Sequence, residues 1–335
     1  APRRALLRDG FLPVFGDGTL LEGSRRREGT KYIDGKGEGL IWTTLFAGPF
    51  LAAQHLARPG EGEQSSLRAL LPEVVSGVLE PAGIKERALL LLDSLHGDGP
   101  TLDLVESQGL HYVIGANKLS ETARILSEQP ETQWRSTGPR PRWGWSDSAV
   151  CVCWIECEGW SRKRALVGRR WVREGEMLTN YSGVITDLAP ADVAPQLSRG
   201  LSFGEAVWRH YDRKAGCENY YKDLLEDLDL HHPPCQEHVR NAGFYGAASL
   251  AYVLGVAVDL LGGRFLQRGS TTRIDGGKRR RPTPRRMRLW RLRRRLFALP
   301  GRVAYHAREV KVTLQGLGAT LRREFDEFWR GVSTC

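Results

Sequence analysis

The sequence predicts an α/β protein: a mixed sheet flanked by helices, with a β-rich insertion and a basic C-terminal tail. Three observations predict it. Short apolar runs separated by glycine open the chain. The unbroken run 87–92 (RALLLL) follows a stretch of helical periodicity. Sixteen of the 49 Lys and Arg crowd into residues 264–308 beside one acid, Asp275. With 335 residues, 41% hydrophobic and 26% charged, the chain can bury a substantial core, which excludes a mostly disordered polymer.

The elements follow in order. Residues 11–15 are apolar, Gly16-Asp17-Gly18-Thr19 punctuates, and Leu20-Leu21 resumes; 39–45 and 49–56 are two further runs parted by Ala47-Gly48. These predict an antiparallel meander of three strands. Leu67, Leu70, Leu71, Val74, Val75, Val78 and Leu79 recur at helical spacing behind an N-cap at Ser65-Ser66. The run ending in Asp93 has the pattern of a central strand buried on both faces. A short helix over 101–108 leads through Gly109 to a strand over 111–115. The order β-β-β-α-β-α-β is that of an α/β sheet with mixed strand directions.

Six of the ten tryptophans, Trp134, Trp143, Trp145, Trp154, Trp160 and Trp171, fall in 130–190 among short alternating runs, which predicts an inserted, mostly β subdomain. Residues 203–228 read as one charged helix, 237–261 as an apolar helix and 317–329 as a final helix of interleaved charge. The apolar stretch 242–261 holds one acid, Asp259, and many small residues; it reads as a buried helix of a soluble core rather than a membrane span. No secretory pattern opens the chain, and six cysteines do not form a disulfide framework at this length, so the reading is soluble and intracellular.

The net charge is +10, yet everything outside 264–308 sums to about −5. One concentrated cationic segment on a near-neutral body points to a polyanionic partner, nucleic acid first. Within it, 278–295 packs eleven cations into 18 residues, including Lys278, Arg279, Arg280, Arg281, Arg285, Arg286, Arg293 and Arg294. Such a run repels itself unless phosphates screen it.

Three acids stand out. Asp17 and Asp93 each follow a predicted strand, where a rigid element holds a carboxylate at the sheet edge and a divalent metal can be bound. Glu218 lies on the predicted helix 203–228. Asp34 and Asp98 compete for the first and second positions. Cys151, Cys153 and Cys157, and the group His231, His232, Cys235 and His238, lack the paired spacing of a zinc site.

First-strand Asp, fourth-strand Asp and late-helix Glu on this frame resemble the ribonuclease-H-like core of DDE transposases from bacterial insertion sequences, specifically the insertion-sequence-four-like group. Asp17-Gly18-Thr19 is similar to the first-acid motif, and Leu92-Asp93-Ser94-Leu95-His96-Gly97 followed by Leu110-His111-Tyr112-Val113-Ile114 is similar to the second. Tyr211, Lys214 and Glu218 match the first three positions of the signature Tyr-(2)-Arg-(3)-Glu-(6)-Lys. Lys214 stands in place of Arg, and Leu225 in place of the final Lys, with Lys222 one turn earlier. The resemblance spans about residues 11–310. It lacks the DNA-binding region that usually precedes the first acid; with Ala1 in place of Met, this implies an N-terminally incomplete chain.

The resemblance implies a cytoplasmic, nucleoid-associated transposase. Its catalytic core comprises 1–129 and 196–263, interrupted by a β-rich subdomain over 130–195 and followed by a DNA-contacting helical region over 264–335. It implies hydrolysis of a phosphodiester at the transposon end and transfer of the 3′-OH into target double-stranded DNA, by a homodimer in a synapse and without a membrane partner. Asp17, Asp93 and Glu218 would hold two Mg²⁺ ions, with Mn²⁺ able to substitute. Tyr211, Lys214, Lys222 and the basic run would contact phosphate. Lys at 214 keeps the charge but loses the bidentate guanidinium fork, so a remnant that binds DNA without cutting it is the alternative. A tryptophan of the insertion could stack on an unpaired base, although packing in the subdomain is the commoner role.

Overall fold

The computed structural model describes residues 6–24, 26–33, 35, 37–116, 119–266, 274–275, 278–279, 288–293, 301–306, 309–314 and 326; at 119–120, 261–266, 274–275, 278–279, 291, 301–306 and 309–314 it describes the backbone alone. Asp34, Arg280, Arg281, Arg285, Arg286, Arg294 and all but one residue of the predicted helix 317–329 lie outside the described residues. The chain divides into two compact units, Ala1–Glu218 with Pro233–Ala242 and Asn219–His232 with Gly243–Cys335.

The first unit is a mixed α/β fold. In order it contains β1 (Leu12–Glu22), β2 (Lys31–Ile33), β3 (Gly37–Ala47), β4 (Phe50–Leu56), α1 (Glu63–Val74), β5 (Ala88–Leu92), α2 (Gly99–Ser107), β6 (His111–Gly115), α3 (Leu119–Ser127), β7 (Arg135–Ser136), β8 (Trp145–Ile155), β9 (Arg164–Arg173), β10 (Thr179–Thr186), α4 (Ala194–Leu197) and α5 (Phe203–Tyr211). A ten-stranded sheet runs β2-β3-β1-β5-β6-β10-β9-β8-β7, with β4 also on β3. β1 is antiparallel to β3 and parallel to β5, β5 is parallel to β6, and β10 returns antiparallel on β6.

Five residues of β5 are all buried, as an apolar run at the sheet centre requires. Leu67 and Leu71 of α1 and Leu102 and Val105 of α2 join Leu12, Val14, Leu90, Leu92 and Ile114 in one core. Each fully buried leucine contributes roughly 2 kcal/mol by area. α5 packs a different patch: Gly204 lies against Val150 and Val167, and Ala206, Val207 and Trp208 are buried. Its start is a capping box, in which Ser202 Oγ accepts from the Glu205 N–H and Glu205 accepts from the Ser202 N–H.

Several expectations change. The glycines at 16 and 18 do not punctuate β1, which runs through Asp17 with Asp17 opposite Thr44. They serve close approach instead: a Cβ at Gly16 would fall 2.5 Å from Leu67 Cδ1 and 2.6 Å from Leu92 Cδ2. The N-cap of α1 is Gly62, with Ser65 one turn in and bonded back to it. The strands of 130–190 are not set apart, because β10 pairs with β6 and carries β9 and β8 on in the same sheet. The helix expected over 203–228 is broken. α5 ends at Tyr211, a 3₁₀ turn spans Lys214–Cys217, and a new helix, α6 (Glu218–Lys222), begins at Glu218.

Beneath the end of α5, His210 is 1% exposed, with Arg213 Nη1 3.0 Å from its Nδ1 and Gln196 Nε2 3.1 Å from its Nε2. Burial and the Arg213 charge, against Asp9, push its imidazole down to about 4 from the usual 6.5. A depressed folded-state value gives stability that is whole above pH 6.5 and lost as pH falls through about 4. A loss of up to about 3 kcal/mol across that window is expected. Thermal midpoints against pH should show it, and His210→Gln should flatten that part of the profile.

In the second unit, α7 (His238–Leu266) continues past Ala242. It is long and apolar enough to cross a membrane by length and composition, and only 28% of that window is buried, against the expectation of a buried core helix. Leu250 and Leu254 are exposed. α8 (Leu289–Leu292) lays Leu289 over Gly255, where a Cβ would sit 2.5 Å from Leu289 Cδ2. The expected helical character of the tail is corrected by a hairpin of β13 (Gly301–His306) and β14 (Glu309–Leu314). Part of the basic run is also paired with acids of its own unit, since Arg288 binds Glu226 at 2.9 Å and Asp227 through its Nε at 3.3 Å.

Candidate active site

Side chains alternate along a strand. Gly16 and Gly18 face α1, so Asp17 projects from the opposite face of β1, towards the segment after α5. The parallel pairing of β1 with β5 ends at Phe15 and Leu91, and Asp17 sits just beyond it. Asp93 follows β5 directly and caps the 3₁₀ turn Ser94–His96, its Oδ1 accepting from the Leu95 N–H at 3.0 Å. Asp93 thus stands at the carboxyl end of β5, where open α/β sheets hold ligands, and Asp17 stands beside it where the parallel pairing of β1 with β5 ends.

Two further groups close on them. Lys214 Nζ lies 3.5 Å from Asp17 Oδ2. The Tyr211 hydroxyl lies 2.8 Å from where a Cβ on Gly115 would be, a spot equally close to the Ser94 N–H, so Gly115 at the end of β6 is what admits the phenol. Burial and the Asp93 charge, against Arg169, push the Tyr211 phenol up to about 12, so it is a protonated donor at neutral pH. Burial, with Asp93 and Glu63 and against Lys214, raises the Asp17 carboxyl above its usual range.

Glu63 and His96 carried no signal in the sequence beyond an acid in the first turn of α1 and a histidine three residues after Asp93. The Gly18 N–H is shared between Asp17 Oδ1 at 3.0 Å and Glu63 Oε1 at 2.9 Å. His96 is fully buried, with Nε2 3.0 Å from Glu63 Oε1 and 3.8 Å from Asp93 Oδ1. The ligand atoms of Glu63, Asp93 and His96 all lie within 4.8 Å of one another. A Cβ at Gly18 would meet Glu63 Cδ at 2.4 Å. Gly18→Ala is accordingly expected to push the flexible Glu63 carboxylate aside and cost about 1 kcal/mol through the lost hydrogen bond, read as a lower denaturant midpoint.

Glu218 is exposed at the start of α6, and what links it to the cluster is indirect: Asp17 and Glu218 both act on the buried Cys217 thiol, which burial above all pushes upward. Lys222 is exposed in the second unit, where its carbonyl accepts from Arg288. Arg293 is exposed after α8, and Lys278 and Arg279 form β12 of a two-strand ladder with β11 (Ile274–Asp275). Asp98 is committed elsewhere: it caps α2 and accepts from Thr101, Gln64 and Arg68. Cys151 is buried and Cys153 partly so; burial pushes Cys151 up to about 12, and neither joins a metal-ligating group among the described residues. His238 binds the Leu56 and Ala57 carbonyls at 3.1 Å.

Beside Tyr211, Arg169 is stacked among tryptophans. Its guanidinium carbon lies 3.8 Å from the Trp208 ring centre and 5.0 Å from that of Trp145, and it pairs with Asp212 at 3.2 Å. Trp145 stacks on Trp171 at 5.0 Å. These tryptophans largely pack on one another and on an arginine.

No family model matches the sequence, and no curated protein matches it. Among solved structures, the chain is similar to a piggyBac transposase synaptic complex with hairpin DNA, at a TM-score of 0.42 and 11% identity over 78% of this chain. The match takes in 49% of that transposase, so the chain spans about half its length.

Proposed function

We propose that the chain is a DDE-type transposase that cuts DNA phosphodiesters at transposon ends and joins the 3′-OH to target double-stranded DNA with the help of divalent metal. The observation that carries this reading is the convergence of Asp17, Asp93, Tyr211 and Lys214 where the parallel pairing of β1 with β5 ends. Strand order supports the finer fold assignment. β4-β3-β1-β5-β6, with the first three antiparallel and the last three parallel, is the arrangement of a ribonuclease-H-like core.

Asp17, Asp93 and Glu218 would hold Mg²⁺ or Mn²⁺, for which hard carboxylate oxygens are apt ligands. Bound metal would stabilise the attacking and leaving oxygens of an in-line displacement. Asp17 and Asp93, fixed by β1 and by the turn after β5, orient the site. Tyr211 donates its hydroxyl proton in a hydrogen bond to a phosphate oxygen. Lys214 offers a point charge to the same group and can exchange its Asp17 contact for phosphate. Lys222, Lys278, Arg279, Arg293 and the other cations of the basic run apart from Arg288 bind the backbone of duplex DNA, with the protein acting as a nucleoid-bound homodimer.

Plasmid DNA carrying the sequences that flank the coding region provides the test. Nicking that requires Mg²⁺ or Mn²⁺, with transfer of a pre-cut 3′-OH end, is expected. Salt-dependent DNA binding with no nicking under either metal would overturn the enzymatic reading in favour of a DNA-binding remnant, for which the exposure of Glu218 is the motivating feature.

A further inference from the structure

We propose that Glu63 and His96 are ligands of a divalent-cation site shared with Asp93 and bordered by Asp17, so that one cation is held without Glu218. The inference rests on the metal-dependent reading above and names residues that the sequence motif does not contain.

Three carboxylates, Asp17, Glu63 and Asp93, meet where the parallel pairing of β1 with β5 ends, and Lys214 offsets one of their charges. With a neutral imidazole, as a metal ligand must be, a residual charge of about −2 matches one divalent ion. The histidine is the independent observation. A completely buried imidazole directs Nε2 towards Asp93 and hydrogen-bonds Glu63 with it, while its Nδ1 meets no hydrogen-bond partner among the described residues. Glu63 has a structural rationale of its own, since an acid in the first turn of α1 is favoured by the helix dipole and receives the Gly18 N–H. That rationale accounts for one carboxylate. It does not account for an imidazole aimed at two of them from the core.

A nitrogen among oxygen donors sets the metal class. Imidazole suits first-row transition ions such as Fe²⁺, Ni²⁺ and Zn²⁺, and carboxylate suits Mg²⁺, Ca²⁺ and Mn²⁺; of these last three only Mn²⁺ is itself a first-row transition ion, able to take the nitrogen as well. The site should therefore bind Mn²⁺ more tightly than Mg²⁺, and losing the histidine should narrow that gap.

The test is Mn²⁺ titration of the full chain without DNA, followed by electron paramagnetic resonance, with Mg²⁺ as competitor. Glu63→Gln and His96→Gln are each expected to weaken Mn²⁺ about ten-fold or more, while Glu176→Gln, at an exposed acid paired with Arg173 outside the cluster, stays within about two-fold. Pulsed spectra of Mn²⁺ on the wild-type protein should carry a ¹⁴N coupling, a readout that needs no variant and survives any folding defect in His96→Gln. Mn²⁺ bound with no ¹⁴N coupling, and lost in Asp93→Asn but not in Glu63→Gln, would overturn this inference and leave the proposed function standing. Absence of Mn²⁺ binding by the wild type would overturn both.

Discussion

Asp93→Asn is expected to lower metal-dependent strand cleavage by at least about a thousand-fold, and Asp17→Asn by a similar factor, because each removes a charge worth several kcal/mol of transition-state stabilisation. The two variants should differ in the resting protein. Burial and two neighbouring carboxylates raise the Asp17 carboxyl against the pull of Lys214. A raised folded-state value contributes stability at low pH that is lost as pH climbs through it, so ionised Asp17 is a cost at neutral pH. Asp17→Asn without metal should therefore unfold at a higher temperature than the wild type, the familiar exchange of stability for activity at such sites. Loss of cleavage with a rise in thermal midpoint would mark Asp17 as a functional acid. Loss of both would mark it as a structural one.

Glu106→Ala should be among the most destabilising substitutions in the first unit, at about 3–5 kcal/mol. Arg164 is 1% exposed by side chain and donates to Glu106 Oε1 at 2.7 Å and Oε2 at 3.0 Å. Arg162 and the Tyr112 hydroxyl donate to the same carboxylate. Removing Glu106 strands a buried guanidinium whose remaining acid, Asp103, is half exposed. Burial works against ionisation of Glu106, but the bonds from Arg164, Arg162 and Tyr112 prevail and hold its carboxyl down to about 2. The stability it contributes is thus present above its usual 4.5 and disappears as pH falls towards about 2. Urea midpoints for Glu106→Ala against a double replacement with Arg164→Met separate the lost pair from the stranded charge; the double variant should recover most of the loss.

The central strands were legible because their signals are local. β5 and β6 announce themselves as apolar runs bounded by Asp93 and by Gly115, and they lie within a residue of where the sequence puts them. Asp93 was legible from the end of its apolar run, whereas its nearness to Asp17, which lies inside β1 rather than after it, was an expectation of the resemblance alone. What failed was information carried across the chain. Gly16 and Gly18 have the composition of a turn, yet they are strand residues whose missing Cβ atoms admit Leu67 and Glu63. Periodicity over 203–228 could not register that the backbone breaks after Tyr211, where Arg213 turns back to the carbonyl of Arg8. Pairing of β10 with β6 joins residues some 70 positions apart, and no local pattern encodes it. Glu63 and His96 come together only because α1 and the turn after β5 meet over Gly18. The hairpin 301–314 was hidden by the charge that dominates its neighbourhood.

The contact between Asp17 and Lys214 spans 197 positions. At ordinary rates of synthesis, about 5–20 residues per second, the first acid waits for roughly 10–40 seconds on the ribosome before its cationic partner exists. A nascent chain can pair β1 with β3 and β5 and bring Glu63 to Gly18 well before then. For most of that interval Asp17, joined by Glu63 and Asp93 as they are made, stands without Tyr211 and Lys214, so under the proposed function a half-made molecule lacks these two phosphate donors until α5 and the turn after it dock.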